Sequence, residues 1–396
     1  MSRQENFCRR LRAVFTVVMA SIALSTTNYA MAQKSVSPPD FAYPKTVSAN
    51  AKKSLEKALA KNDGEGVLRS LIEYTTAENL ITNENFAATA SKIAEVAENE
   101  KDVVVKALLK VLLAEDYLNF YQKNRWEYDR RELPLSPLPD TVSQWSGDQF
   151  RLKIYGLFCD ALSQPAPLQA ALLSSYGQVI DSNDLTAIYF PTIYDFVAVR
   201  ALEAMESWNK VGDAEPKEYC RQLRQRLLDF HKGDVAPEIY WTLNKDRGSK
   251  LDIAAMEELY NRYERSEYSG DVLSDIPVYS LSLPNRKWLA SKLKYNIGRF
   301  TDYWNINSLK NSLKSLTNPG LTVSLLKNMV SPGVPFKITV NSENCTSGKV
   351  SIYRVYPGKD FDYKQYKDLR EKDKVAEFPV VCDSVAPFGY SYNIEA

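Results

Sequence analysis

Apolar residues change their spacing once along this chain, at residues 316–355, LTNPGLTVSLLKNMVSPGVPFKITVNSENCTSGKVSIYRV. Before that joint they recur at helical spacing. After it they alternate. Phe336, Ile338 and Val340 fall on one side of an extended chain, with Lys337, Thr339 and Asn341 on the other. The turn-forming NSENCTSG follows, and Val350, Ile352 and Val355 start a second such run. Period-two runs broken by Gly, Pro and Asn predict antiparallel β hairpins. A long helical region therefore feeds a small β domain.

At 396 residues the chain exceeds one compact domain. The first 32 residues read as a targeting segment. Arg9, Arg10 and Arg12 open it, Ala13–Leu24 is an apolar run, and Ala30-Met31-Ala32 gives a cleavage pattern. So short a run predicts a signal peptide rather than a membrane anchor. The mature chain is expected to start near Gln33 with a flexible leader, residues 33–46. It is expected in a periplasm or outside the cell, with no transmembrane helix. The formal charge is +1, and removing the targeting segment leaves about −2. That balance points away from nucleic acid, which requires a clustered basic face.

Such a compartment permits disulfides. Cys345 and Cys382 both lie in the β part and are placed to pair, whereas Cys159, in IYGLFCDAL, reads as a buried thiol. No C-x-x-C occurs and His231 is the only histidine, so a Cys/His metal site is not expected.

Helices are predicted at 49–61, 65–78, 83–98, 102–122, 145–162, 167–176, 193–208, 215–232, 237–243, 251–263, 271–283, 286–299 and 305–316, with Ser48 and Thr192 as caps. The fourth, VVVKALLKVLLAEDYLNFY, is apolar nearly all round and belongs between neighbouring helices. Residues 125–146 interrupt the series, because Pro134, Pro137 and Pro139 forbid a helix. A loop of this length is either functional or packed across the surface. Residues 251–273 match the geometry of helix–turn–helix repeats of about 34 residues, which stack because each alone leaves an apolar face uncovered. The fold class is thus mainly α, a TPR-like array over 47–317, followed by a small β-sandwich over 318–396. Its last strand reaches Ala396 without a closing turn, so the sandwich reads as incomplete.

Residues with chemical potential are few. His231 ends a helix ahead of Gly233, where a cation suits the helix dipole. The carboxylate pairs Glu115/Asp116 and Glu257/Glu258 are flanked by Lys or Arg and read as solvated faces rather than glycosidase acids. Trp126, Tyr128, Trp145, Tyr189 and Tyr194, with Phe190 and Trp208, either line a sugar or peptide groove or wedge helices apart. G-x-S-x-G, Gly-rich phosphate loops and H-E-x-x-H are absent. No catalytic, cofactor-binding or metal-ligating residue is assigned.

Four stretches carry a family resemblance: YLNFYQKNRWEYDRR, VSQWSGDQF, the run YFPTIYDFVAVRAL at 189–202, and the joint NPGLTVSLLKNMVSPGVPFKITVNSENCTSGKVSIYRV. In their order the chain resembles the N-terminal end of the alpha-macroglobulin-like proteins of Bacteroides-type bacteria. The resemblance implies a helical, repeat-like region ahead of β-sandwich macroglobulin domains, in a family that traps proteases through a bait segment, often with a Cys-Gly-Glu-Gln thioester. That tetrapeptide is absent here, so no trapping residue carries over. What remains implied is a non-enzymatic N-terminal piece or truncated relative that binds or scaffolds protein, either a protease or an envelope protein. Two other readings stand beside it: a stand-alone helical-repeat binder of peptides or glycans, and an α-helical barrel enzyme acting on carbohydrate.

Overall fold

The computed structural model describes residues 41–82, 86–206, 208, 214–245, 252–278, 281–325, 337–345, 347–354, 373–381 and 390–395. The first 32 residues, read above as a targeting segment, and Cys382 lie outside the described residues. The described chain is helical up to Thr317 and extended from Gly320. It divides into two compact units, Met1–Ser249 and Lys250–Ala396. That division falls within the helical stretch, ahead of the switch from helix to strand.

The first unit opens with α1 (Pro44–Lys61) and α2 (Gly64–Ile81), which pack together. Asn62 turns the chain at φ 51, and the Asp63 carboxylate accepts from Gly66 N to cap α2. Ser48, expected as a cap, lies inside α1 because Pro44 already supplies the helical φ of a first turn. Its hydroxyl donates to Glu78 instead. Next come α3 (Phe86–Asn99) and α4 (Val103–Lys123), the latter capped by Asp102, which accepts from Val104 and Val105 N. The burial of α4 follows from its sequence: it packs against α2, α3, α6 (Gly147–Ala161), α7 (Pro165–Ala170) and α9 (Ile193–Met205).

The stretch after α4 begins with a single helical turn, α5 (Arg125–Tyr128), and then runs without helix to a 3-10 turn at Val142–Gln144. Side chains stitch this loop down. Trp145 Nε1 donates to Pro139 O at 2.9 Å, and Gln149 Nε2 donates to Pro134 O at 2.7 Å. Arg151 Nη1 donates to Tyr121 Oη at 2.8 Å and to Asp129 Oδ1 at 3.0 Å, tying α6 to α4 and to the C-cap of α5. Helix α6 starts at Gly147, not Trp145, because Ser146 and Gln149 form a reciprocal capping box.

A short α8 (Asp184–Tyr189), not anticipated from the polar run before it, is capped by Asn183 and leads into α9. Helices α10 (Ala214–Phe230) and α11 (Val235–Asn244) complete the unit.

In the second unit, α12 (Ile253–Tyr263) and α13 (Ser269–Asp275) precede α14 (Leu283–Arg299) and α15 (Ile306–Thr317). Asn296 Nδ2 donates to Tyr260 Oη at 2.7 Å, and Tyr303 donates to Asp271, so these two buried polar groups find partners on other segments. Among the described residues five strands follow: β1 (Gly320–Leu325), β2 (Lys337–Glu343), β3 (Ser347–Tyr353), β4 (Lys374–Val381) and β5 (Tyr390–Glu395). They form two antiparallel sheets, one ordered β1-β2-β5 and one of β3-β4. Ile338 and Val340 are buried and Lys337 is exposed, as the alternation requires.

The hairpin predicted between the second and third strands does not form. Strand β2 pairs with β1, matching Val340 to Val323, and with β5, whereas among the described residues β3 pairs with β4 alone. The physical reason sits at Asn344, in the left-handed region at φ 56. Its Nδ2 donates to Leu316 O at 2.8 Å and Asn318 O at 2.9 Å, so the turn is anchored to the end of α15 and sends the chain into the other sheet.

Two glycines of α6 test this packing. A Cβ at Gly147 would lie 2.1 Å from Asp129 Oδ1, a carboxylate already held by Arg151, whereas one at Gly156 would meet nothing within 4 Å. Gly147→Ala is expected to destabilise by about 1–3 kcal/mol. Gly156→Ala is expected to stabilise by about 0.5–1 kcal/mol, since it only removes glycine's entropy. Urea unfolding of the two variants beside the parent checks both signs.

Candidate functional site

Helix α9 carries the polar residues that sequence patterning could not place. It packs against α4, α6, α7 and α10 and is buried at nearly every position. Thr192 caps it as expected, in a box with Asp195, though the helix ends at Met205 rather than Trp208. The strand-like bridge Leu172–Thr192 fixes this entry: Leu173 N donates to Pro191 O, and Ile193 N donates to Ala171 O.

Asp195 does more than cap. Its Oδ2 accepts from Thr192 N at 3.0 Å and Thr192 Oγ1 at 2.7 Å, while its Oδ1 lies 2.6 Å from His231 Nε2. The other ring nitrogen, Nδ1, lies 3.1 Å from Asp234 Oδ2. His231 is 1% exposed and Asp195 0%. Burial pulls the imidazole pKa down, but the hydrogen bond and charge of Asp195, joined by those of Asp234, outweigh it, and the net shift is upward. With a carboxylate on each nitrogen, both ring nitrogens are occupied, an arrangement that favours the imidazolium. His231 stands just past the end of α10, as its sequence position suggested, but it acts as an ionic latch onto α9 as well as a C-terminal cation. The loop behind it is closed by Gly233, at φ +100, whose N–H donates to Glu238 Oε2 at 2.6 Å.

The second cluster corrects an expectation. Glu115 and Asp116 are buried inside the first unit, not on a solvated face. Helix α4 has neighbours on so many sides that its two acids cannot reach water. Glu115 Oε1 pairs with Arg200 Nε of α9, and Arg200 Nη1 donates to Glu203 Oε2 at 2.9 Å. Asp116 is 8% exposed and its Oδ2 has no hydrogen-bond partner. Burial and then the Glu115 charge push its pKa up to about 7, against smaller pulls from Lys123 and a hydrogen bond with Asn79. Glu257 and Glu258 do remain exposed.

Four of the five groove candidates are core side chains. Trp145 stacks on Tyr117 with ring centroids 5.6 Å apart, and Tyr128 lies 4.9 Å from Phe150. Tyr189 packs near Tyr240, and Tyr194 meets Phe230 edge-on. Only Trp126 is open, 65% exposed beneath the Arg130 guanidinium. They join separate clusters because helices in this stack meet through aromatic wedges, so no continuous groove lined by all five exists. Cys345 Sγ lies 3.4 Å from Gly320 O, and its proposed partner Cys382 is outside the described residues. Cys159 is half-buried and Cys220 buried, and burial raises both thiols above their ordinary range. Among the described residues, no group of three or more His, Cys, Asp or Glu is placed to hold a metal ion, and no helix is long and apolar enough to cross a membrane.

No protein family, curated protein or solved structure matches this chain.

Both clusters make stability fall as pH rises. His231, with its folded pKa raised, contributes stability that is complete below its unfolded value and lost as pH climbs through the folded one. Asp116 behaves likewise between its ordinary 3.8 and about 7. Thermal melts are expected to show a lower Tm at pH 8 than at pH 5, and Asp116→Asn is expected to flatten the slope, recovering on the order of 3 kcal/mol at pH 8. Asp195→Ala removes the buried partner of an imidazolium and is expected to cost about 3–5 kcal/mol in urea unfolding at pH 6.

Proposed function

We propose that the chain is an exported, non-enzymatic binding or scaffolding protein, the N-terminal part or a truncated relative of an alpha-macroglobulin-like envelope protein. In this reading the helices form a TPR-like array and the two sheets are a first macroglobulin-type sandwich. The supporting observation is the order of elements: a long helical stretch, then antiparallel strands entered at Gly320 through the joint that carries the resemblance. The loop after α5 favours protein as the partner. Trp145, Gln149 and Arg151 hold it down, yet Leu133, Leu135 and Leu138 are exposed on it, and Trp126 is open in the helical turn that precedes it. Apolar side chains displayed on a pinned loop bind with little ordering cost, which suits a protein–protein contact.

Two measurements test this. Reading the coding sequence beyond Ala396 is expected to reveal further sandwich segments in this frame or an adjacent one; an unrelated gene there would count against the family. Proteins cross-linked to the wild-type chain in intact envelopes are expected to be lost from a Leu135→Asp, Leu138→Asp variant of unchanged melting temperature. Retention of the same partner by that variant would remove the loop from the interface.

A further inference from the structure

The near-neutral total of +1 conceals a local excess. Helices α14 and α15 together carry seven Lys and Arg and no Asp or Glu. The link between them adds one carboxylate, Asp302. Three of the seven have partners: Lys292 Nζ lies 2.8 Å from Glu264 Oε1 and sits over the Tyr260 ring, Arg299 binds the Tyr295 hydroxyl, and Arg286 is engaged as well. Lys287, Lys294, Lys310 and Lys314 are exposed and enter no ion pair among the described residues.

Their positions define one surface. Lys287, Ser291, Lys294 and Tyr295 recur at helical spacing along α14, and Asn307, Lys310, Asn311 and Lys314 do so along α15, all of them exposed. The opposite faces carry the buried Leu289 and Leu293, and Leu309 and Leu316. Helix α13 packs against both α14 and α15. The two exposed rows therefore lie on the side away from α13, as a broad two-helix face. Lys287 and Lys294 stand roughly 10 Å apart along one axis, and packed helices lie about 8–10 Å apart, so the charges are spread, not focused.

This arrangement selects its ligand. Lys is a compact, mobile point charge, whereas bidentate recognition of one phosphate group calls for the planar fork of Arg. Dispersed lysines match a dispersed field of anions. Tyr295 stands among them, 39% exposed, its hydroxyl accepting from Arg299 Nη1 at 2.7 Å. The Arg299 guanidinium lies 5.7 Å from the Tyr295 ring centroid, so the ring is not an open platform for stacking a base. An aromatic ring with a polar tip set between cations is the composition found at membrane–water interfaces. We propose that the α14–α15 face docks on the surface of an anionic lipid bilayer. This does not depend on the family reading above.

The test is co-sedimentation of the purified full chain with phosphatidylcholine vesicles, with and without phosphatidylglycerol. Sedimentation is expected only with the anionic vesicles at low ionic strength, and is expected to be lost at high salt. Each single Lys→Gln substitution at 287, 294, 310 or 314 is expected to weaken binding about fivefold. The combined charge reversal K287E, K294E, K310E, K314E is expected to abolish it. Lys53→Glu on α1 is expected to have no effect, with circular dichroism confirming that each variant is folded. Should the combined variant not fold, the single substitutions decide alone. Equal binding to neutral vesicles, undiminished binding by the lysine variants, or capture by an acidic polymer with none by vesicles would each overturn the proposal.

Discussion

A charge inside a helical stack has to find its opposite there, and α9 meets that requirement twice. Near its start Asp195 takes the His231 imidazolium, and farther along Arg200 takes Glu115. Isolated ions in this setting would be prohibitively costly, so each pair fixes which helices can be neighbours. Dispersion and apolar burial favour a compact bundle without choosing its arrangement; the two ion pairs restrict α9 to a position between α4 and the end of α10. The unpartnered oxygen of Asp116, next to one of these pairs, marks where the requirement is met incompletely.

Most elements were legible from local pattern. The proline run that keeps residues 134–139 out of a helix, the Thr192 cap and the alternation of Ile338 and Val340 are all set by neighbours within a few residues. What was lost was pairing between distant segments. Nothing local distinguishes β2 as a partner of β5 from β2 as a partner of β3. The decision lies with the Asn344 amide and two carbonyls more than twenty residues earlier.

The site was less legible, and the reason is instructive. Asp195 and His231 are separated by 36 residues, and Glu115 and Arg200 by 85. Yet a signal was present. A helix apolar on nearly every side has no wet face, so Glu115 and Asp116 within VVVKALLKVLLAEDYLNFY required buried partners. Arg200 inside IYDFVAVRALEAM posed the same demand with the opposite sign. Treating the acids by their flanking lysines, rather than by the helix they sit in, hid the match. The aromatics failed for a related reason: ring-rich segments appear equally suited to a cleft and to a wedge until their neighbours are known.

Asn344 also joins two kinds of secondary structure mechanically. The last carbonyls of a helix and the entry to β1 are held by the same amide, so neither end can fray by itself. A load pulling the strands away from α15 would act on this one side chain first, as a shear pin does in a coupling. Helix end and sheet would then give way in a single event rather than by successive peeling.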